Sequence, residues 1–226
     1  MVKGQKKMFA KIESMGNNMI KNETTESSAA GCSIKVEDIS MGYRVFGIGY
    51  PLLLIMMSMG SLIAQELVLR YPSKVNKLIL YSTYCSAEMF PTSLDIIQQL
   101  TDVTGTPEER GMRFIRALFP GNWLQNNGNR IEEIFFRPMG NLPEETLQQQ
   151  SKSIDEWNGS AVLLGEISNS VLLITGTEDC LVLPQNSRFM SEKIPNAQLV
   201  MLENGGHGLM FQYPDMFCEK VVGFLR

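Results

Sequence analysis

Between Pro51 and Thr83 the chain runs through three patterns in a fixed order: an apolar stretch, LLLIM, a helical stretch, GSLIAQELVLRYP, and a second apolar stretch, VNKLILYST. Every side chain of the first stretch after Pro51 is apolar, as in a strand covered on both faces of a parallel sheet, and this reading puts it in the middle of that sheet. Ile63, Ala64, Leu67 and Val68 then share one helical face, and Pro72 closes the helix by steering Tyr71 out of the α region. Two parallel strands joined this way need a right-handed crossover, so the segment is a βαβ unit and the fold class is α/β. Ser58 stands at the junction of the first strand and the helix. It is either turn filler or a nucleophile held out on a sharp turn.

The same alternation organises the rest of the chain. SIKVEDIS and GYRVFGIG each alternate apolar with polar residues, and Gly42 between them suits a hairpin turn, so two antiparallel strands are expected to open the domain. Residues 1–30 are rich in Lys, Asn, Ser, Thr and Glu, too polar to bury a face that offsets ordering, and read as a flexible tail. Residues 86–158 carry helical pieces such as LDIIQQL, EERGMRFIRALF and NRIEEIFF between TGTP, PGNW and RPMGNLP punctuation, which predicts a helical cap over one edge of the sheet. Strand and helix alternation returns with SVLLITG, PQNSRFMSEKI, AQLVML and PDMFCEKVVGFL, so the core comprises 31–85 and 159–226. The last helix places Phe217, Val221, Phe224 and Leu225 on one face.

Composition excludes several functional classes. A net charge of −4 offers no basic excess to draw nucleic-acid phosphates. Cys32, Cys85, Cys180 and Cys218 form no CxxC pair, which argues against a zinc site and for free thiols in a reducing, cytoplasmic setting. No apolar run approaches the ~18 residues of a membrane span, and the N-terminal lysines precede no apolar signal-peptide core. GIGY lacks the strand, GxGxxG and helix context of a dinucleotide site, so no cofactor and no metal are expected. The oligomeric state has no signature in the sequence.

A serine nucleophile needs a base to take its proton and a buried acid to hold that base in the right tautomer. The chain has one histidine, His207, in the glycine-rich ENGGHG that follows a predicted strand. Asp179, in GTED after the strand VLLIT, and its neighbour Glu178 are the candidate acids. All would lie at the carboxyl ends of parallel strands, where such sheets place their ligands.

The chain order Ser, Asp, His and the segments SMGSLIAQELVLRYPSKVNKLILYST, LLITGTEDCLV and LVMLENGGHGLMFQYPDMF resemble the nucleophile elbow, acid loop and histidine loop of the α/β-hydrolase superfamily. The resemblance covers about residues 34–226 and implies Ser58 as nucleophile, Asp179 as orienting acid, His207 as base and the Met59 N–H as one oxyanion donor. It further implies that apolar cap residues, among them Phe114, Phe119 and Trp123, line an acyl pocket, although packing within the cap would use the same residues.

Two features depart from the family pattern. A small residue is expected two positions either side of the serine; Gly60 fits and Met56 does not, so Met56 is expected to bend away or open the turn. The early strand also runs directly into Ser58, as if an internal segment carrying the second oxyanion donor, two helices and about two strands had been removed, leaving a shortened sheet. The sequence therefore supports a hydrolase of a small carboxylic ester or lactone acting through an acyl-enzyme. The alternative is an impaired or inactive remnant, or a binding protein, that keeps the cleft without turnover.

Overall fold

The computed structural model describes residues 32–36, 39–43, 55–135 and 144–226. The expected N-terminal tail lies outside them. β1 (Cys32–Val36) and β2 (Ile39–Tyr43) pair antiparallel, with Val36 opposite Ile39 and Ser33 opposite Gly42. An antiparallel hairpin forms, but the expected first strand SIKVEDIS is itself split between β1 and β2, a correction to the expected strand bounds. The pairing leaves only residues 37 and 38 to connect the strands, so Gly42 lies inside β2 rather than at the bend. Residues 44–49 of the expected second strand lie outside the described residues.

The main sheet is parallel and contains β3 (Ile55–Met57), β4 (Lys77–Tyr81), β5 (Ser170–Gly176) and β6 (Ala197–Leu202) in the order β3-β4-β5-β6. Alternate residues along each central strand point to opposite faces. Leu78, Leu80, Val171 and Leu173 pack with Ala64 and Val68 of α1 (Met59–Arg70) and with Met190, while Ile79, Tyr81, Leu172 and Ile174 pack with Leu209, Phe217 and Val221. Both faces are therefore covered, as the unbroken apolar strands require. Among the described residues β3 pairs with β4 alone and β4 and β5 are the inner strands, which differs from the expected central position of β3. Burial on two faces is local to a strand, whereas its neighbours are set by the whole sheet.

Between β4 and β5 the described residues form α2 (Leu94–Thr101), α3 (Pro107–Leu118), α4 (Gly121–Asn126), α5 (Gly128–Phe135) and α6 (Glu144–Asp155), with no strand among them. A capping box starts α3: the Thr106 hydroxyl accepts from the Glu109 N–H at 3.2 Å, and the Glu109 carboxylate accepts from the Thr106 N–H at 2.7 Å. α7 (Pro184–Lys193) connects β5 to β6, and α8 (Leu209–Gln212) and α9 (Pro214–Leu225) follow. No helix among the described residues is long and apolar enough to cross a membrane.

The β3–α1 junction is a sharp turn. Ser58 has φ 50° and ψ −125°, a conformation open to glycine and costly to other residues by about 1–3 kcal/mol. Its N–H donates to the Ser82 carbonyl at 3.2 Å and its carbonyl accepts from the Ser61 N–H at 2.9 Å, so bonds on both sides impose the strain. Met56 does not open the turn. A Cβ on Gly60 would lie 3.2 Å from Met56 Sδ, so the methionine occupies the room that the glycine leaves, and it packs against the core face that contains Ala64 and Val68.

Two predictions follow from these environments. Ser58→Gly and Ser58→Ala both remove the hydroxyl, but only glycine relieves the strain; Ser58→Gly should be the more stable in urea unfolding by about 1 kcal/mol. Equal stability, or a more stable alanine variant, would contradict the strained turn. Burial pushes the Cys85 thiol up to about 11, and burial followed by the neighbouring Asp179 carboxylate raises that of Cys180, whereas Cys218 is exposed. Since the thiolate is the reactive form, a thiol reagent at pH 8 should modify Cys218 before Cys180 or Cys85, read by peptide mass. Cys85 reacting as fast as Cys218 would contradict its burial.

Candidate active site

The carboxyl ends of β3, β4, β5 and β6 bring the residues singled out from the sequence to one end of the sheet. β5 and β6 do this by an unusually close backbone approach. A Cβ on Gly176 would run into the carbonyl of Gly205, and the Glu178 N–H donates to that carbonyl at 2.8 Å while the Thr177 N–H donates to Leu202 at 3.0 Å. The acid and histidine loops are thereby zipped together just beyond the strands.

Asp179 and His207 meet in this zipped region. His207 Nδ1 lies 3.1 Å and 3.0 Å from the two Asp179 carboxylate oxygens, and the residues are 3% and 2% exposed. An ionised carboxylate only accepts, so Nδ1–H is the donor of this pair, the tautomer that gives Nε2 the lone pair whenever the ring carries one proton. Asp179 Oδ1 also accepts from the Leu181 N–H at 3.0 Å and the Val182 N–H at 2.8 Å, which fixes the carboxylate and offsets its burial. Glu178, the other candidate acid, is exposed. The acid facing His207 is Asp179.

Ser58 is tied to the histidine loop through Ser82 at the end of β4. Ser82 accepts from the Ser58 N–H, donates its own N–H to Ile174 of β5 at 3.0 Å, and places its hydroxyl 3.4 Å from the His207 carbonyl. Met59 opens α1, where the first backbone N–H groups have no acceptor within the helix and the helix dipole favours negative charge.

The three aromatic residues expected to line a pocket have different surroundings. Phe114 is half exposed on α3. Phe119 is 1% exposed and stacks on Trp123 with ring centroids 4.8 Å apart. Its ring edge would lie 2.5 Å from a Cβ on Gly208, and the Gly208 N–H donates to the Leu118 carbonyl at 2.9 Å. Phe119, at the end of α3, therefore braces the histidine loop. Among the described residues no cluster of three or more His, Cys, Asp or Glu side chains is placed to hold a metal ion.

A buried polar network beneath Ser58 was not read from the sequence. The Ser61 hydroxyl donates to the Ser58 carbonyl at 2.5 Å and accepts from the Thr83 hydroxyl at 2.6 Å. Gln65 Nε2 reaches Thr83 Oγ1 at 3.1 Å and the Tyr84 carbonyl at 3.0 Å, and its Oε1 accepts from the Ser160 hydroxyl at 2.6 Å. Ser61, Gln65, Thr83 and Ser160 are fully buried. The available signal was Ser61 and Gln65, four residues apart, beside the apolar Leu62, Ala64 and Val68 of α1. A satisfied network of this kind rigidifies the backbone it holds, here the turn that carries Ser58.

No protein-family model matches the chain. Among curated proteins it is 27% identical over 169 residues to a protein of Pseudomonas syringae pv. syringae provisionally named carbamate hydrolase RutD, a match covering 74% of this chain and 65% of that one. It is 28% identical over 179 residues to a pimeloyl-acyl-carrier-protein methyl ester esterase of Nitrosospira multiformis, covering 75% and 66%. Among solved structures, MGS-M2, an α/β-hydrolase enzyme from a Medee basin deep-sea metagenome library, superposes with a TM-score of 0.62 at 20% identity, over 76% of this chain and 64% of that one. The chain thus spans about two thirds of the length of the relatives it matches. The parallel sheet, its flanking helices and these likenesses give the chain the α/β-hydrolase fold.

Proposed function

We propose that the chain is a serine hydrolase that cleaves a small carboxylic ester or lactone through an acyl-enzyme on Ser58. The observation that carries this reading is the buried His207–Asp179 hydrogen bond, at the same sheet end as a serine held at φ 50°. In this mechanism Ser58 Oγ attacks the acyl carbon as His207 Nε2 takes its proton. Asp179 holds the imidazole with Nδ1 protonated and stabilises the imidazolium that forms. The Met59 N–H, at the start of α1, meets the negative charge developing on the carbonyl oxygen. His207 returns the proton to the leaving oxygen, then activates a water that releases the acid by the reverse steps. The names of the relatives, a carbamate hydrolase and a methyl ester esterase, both denote cleavage at a carbonyl carbon and support the acyl substrate class.

A second reading, a fold that keeps the cleft with little or no turnover, is favoured by one observation: β3, the edge strand among the described residues, runs straight into Ser58. In this reading an internal segment with the second oxyanion donor is missing. Loss of one such donor costs about 10²–10³ in turnover, roughly 2.7–4 kcal/mol. Substrates with poor leaving groups would suffer most.

The expected activity is therefore measurable hydrolysis of p-nitrophenyl acetate and very little of an unactivated ethyl ester. His207→Ala should reduce p-nitrophenyl acetate hydrolysis to background, there being no second histidine in the chain, and Asp179→Asn should lower it by about 10³–10⁴ by favouring the wrong tautomer. Full turnover in His207→Ala would overturn the hydrolase mechanism. Absence of any activity in the purified wild-type chain would favour the second reading.

A further inference from the structure

The histidine loop is held by a residue that the mechanism leaves unused. Gln212, the last residue of α8, is 3% exposed and bonds to the loop at three alternate positions around His207. Its Oε1 accepts from the Gly206 N–H at 2.6 Å, its Nε2 donates to the Asn204 carbonyl at 3.3 Å, and its own N–H donates to the Gly208 carbonyl at 3.2 Å. Asn204 has a left-handed backbone, φ 56°, a bend that asparagine adopts more readily than most residues. Glycines at 205, 206 and 208 give it little stiffness of its own. The side-chain amide of Gln212 supplies the cross-link that such a loop lacks.

The cap reinforces this residue. Arg130 of α5 donates to the carbonyls of Phe211 at 2.8 Å and Gln212 at 3.4 Å, at the end of α8, and its guanidinium lies 5.6 Å from the centre of the Trp123 ring. Trp123 in turn stacks on Phe119, which packs against Gly208.

We propose that Gln212 is the positioning residue for His207, fixing the loop so that the imidazole meets Asp179, with Arg130 carrying the hold of the cap to it. The proposal rests on the reading of His207 as the base. It is a role in orientation and not in chemistry, since Gln212 bonds only to the backbone of the loop.

The test uses the single histidine of the full chain. With 15N-histidine labelling, the ring signals in a proton–nitrogen spectrum belong to His207 alone, and its Nδ1–H, bonded to Asp179, should appear as a slowly exchanging downfield resonance. Gln212→Leu should lose this resonance and lower kcat for p-nitrophenyl acetate by about 10–100-fold with KM unchanged, the scale expected for an ångström-level misplacement. Gln212→Asn, one methylene too short to reach Gly206, should behave likewise, and decides the matter if the leucine variant does not fold. Gln212→Glu keeps an acceptor for the Gly206 N–H and should retain the resonance and most of the turnover. The proposal is overturned if Gln212→Asn keeps the wild-type resonance, if turnover falls while the resonance is unchanged, or if Gln212→Glu is as damaged as Gln212→Asn. An inactive wild-type chain would undo the hydrolase reading alone, because the His207 resonance would still report whether Gln212 sets the ring.

Discussion

The close approach of Gly176 and Gly205 is the constraint on which the site depends. Two parallel strands ordinarily diverge into independent loops, but here the backbone after β5 and the backbone after β6 touch: a Cβ on Gly176 would collide with Gly205, and one on Gly205 would lie only 3.0 Å from Gly176 Cα. That contact permits the Glu178–Gly205 hydrogen bond, and the residue that follows Glu178 is Asp179. With the acid loop fixed, Asp179 accepts from Leu181, Val182 and His207 together, so a carboxylate withdrawn from water keeps its hydrogen bonds. Removing His207 or Asp179 alone would leave a buried polar group without its partner, a larger loss than the net value of the pair.

The rest of the site is built by trading local stability for placement. Ser58 and Ser82 both have left-handed φ, and Asn204 does so beside the histidine. Each costs on the order of 1–3 kcal/mol unless surrounding bonds impose it. Those bonds are present at every one: Ser58 and Ser82 share a backbone hydrogen bond, Ser61 holds the Ser58 carbonyl, and Asn204 is held by Gln212 and by the Thr177 hydroxyl. The Gln65 network extends the support to Ser160, next to the 3-10 turn Ala161–Glu166 that precedes β5. Trp157, just after α6, donates to Glu66 of α1 at 2.9 Å, and Glu66 pairs with Arg70 at 2.7 Å. The helix behind Ser58 and the loop bearing His207 are thus both braced from the helical segment between β4 and β5.

How far these arrangements could be read beforehand depended on whether the signal was local. The all-apolar strands, the helix from Met59 to Arg70 and the loops after β5 and β6 are local patterns, and a lone histidine in a glycine-rich loop is conspicuous by residue type. Sheet order is not local: LLLIM declares burial on both faces but not which strands flank it, so β3 at the edge of the described sheet differs from the central place expected. Gly42 was misplaced because a glycine suits a turn, while the Glu-Asp pair at 37 and 38 suits one too and the pairing register decides between them. The packing of Phe119 against Gly208, with Trp123 stacked on Phe119, joins segments far apart in the chain and has no local signal. Gln65 and Gln212 were passed over because a glutamine in a helix reads as surface until its burial is known.

The central claim is that Ser58, held on a strained turn and served by His207, is a nucleophile. The most direct measurement is reaction of the folded chain with a fluorophosphonate followed by peptide mass mapping. The account predicts one adduct, on the peptide containing Ser58, that fails to form in His207→Ala. An adduct on a different serine, or none on folded protein, would contradict it.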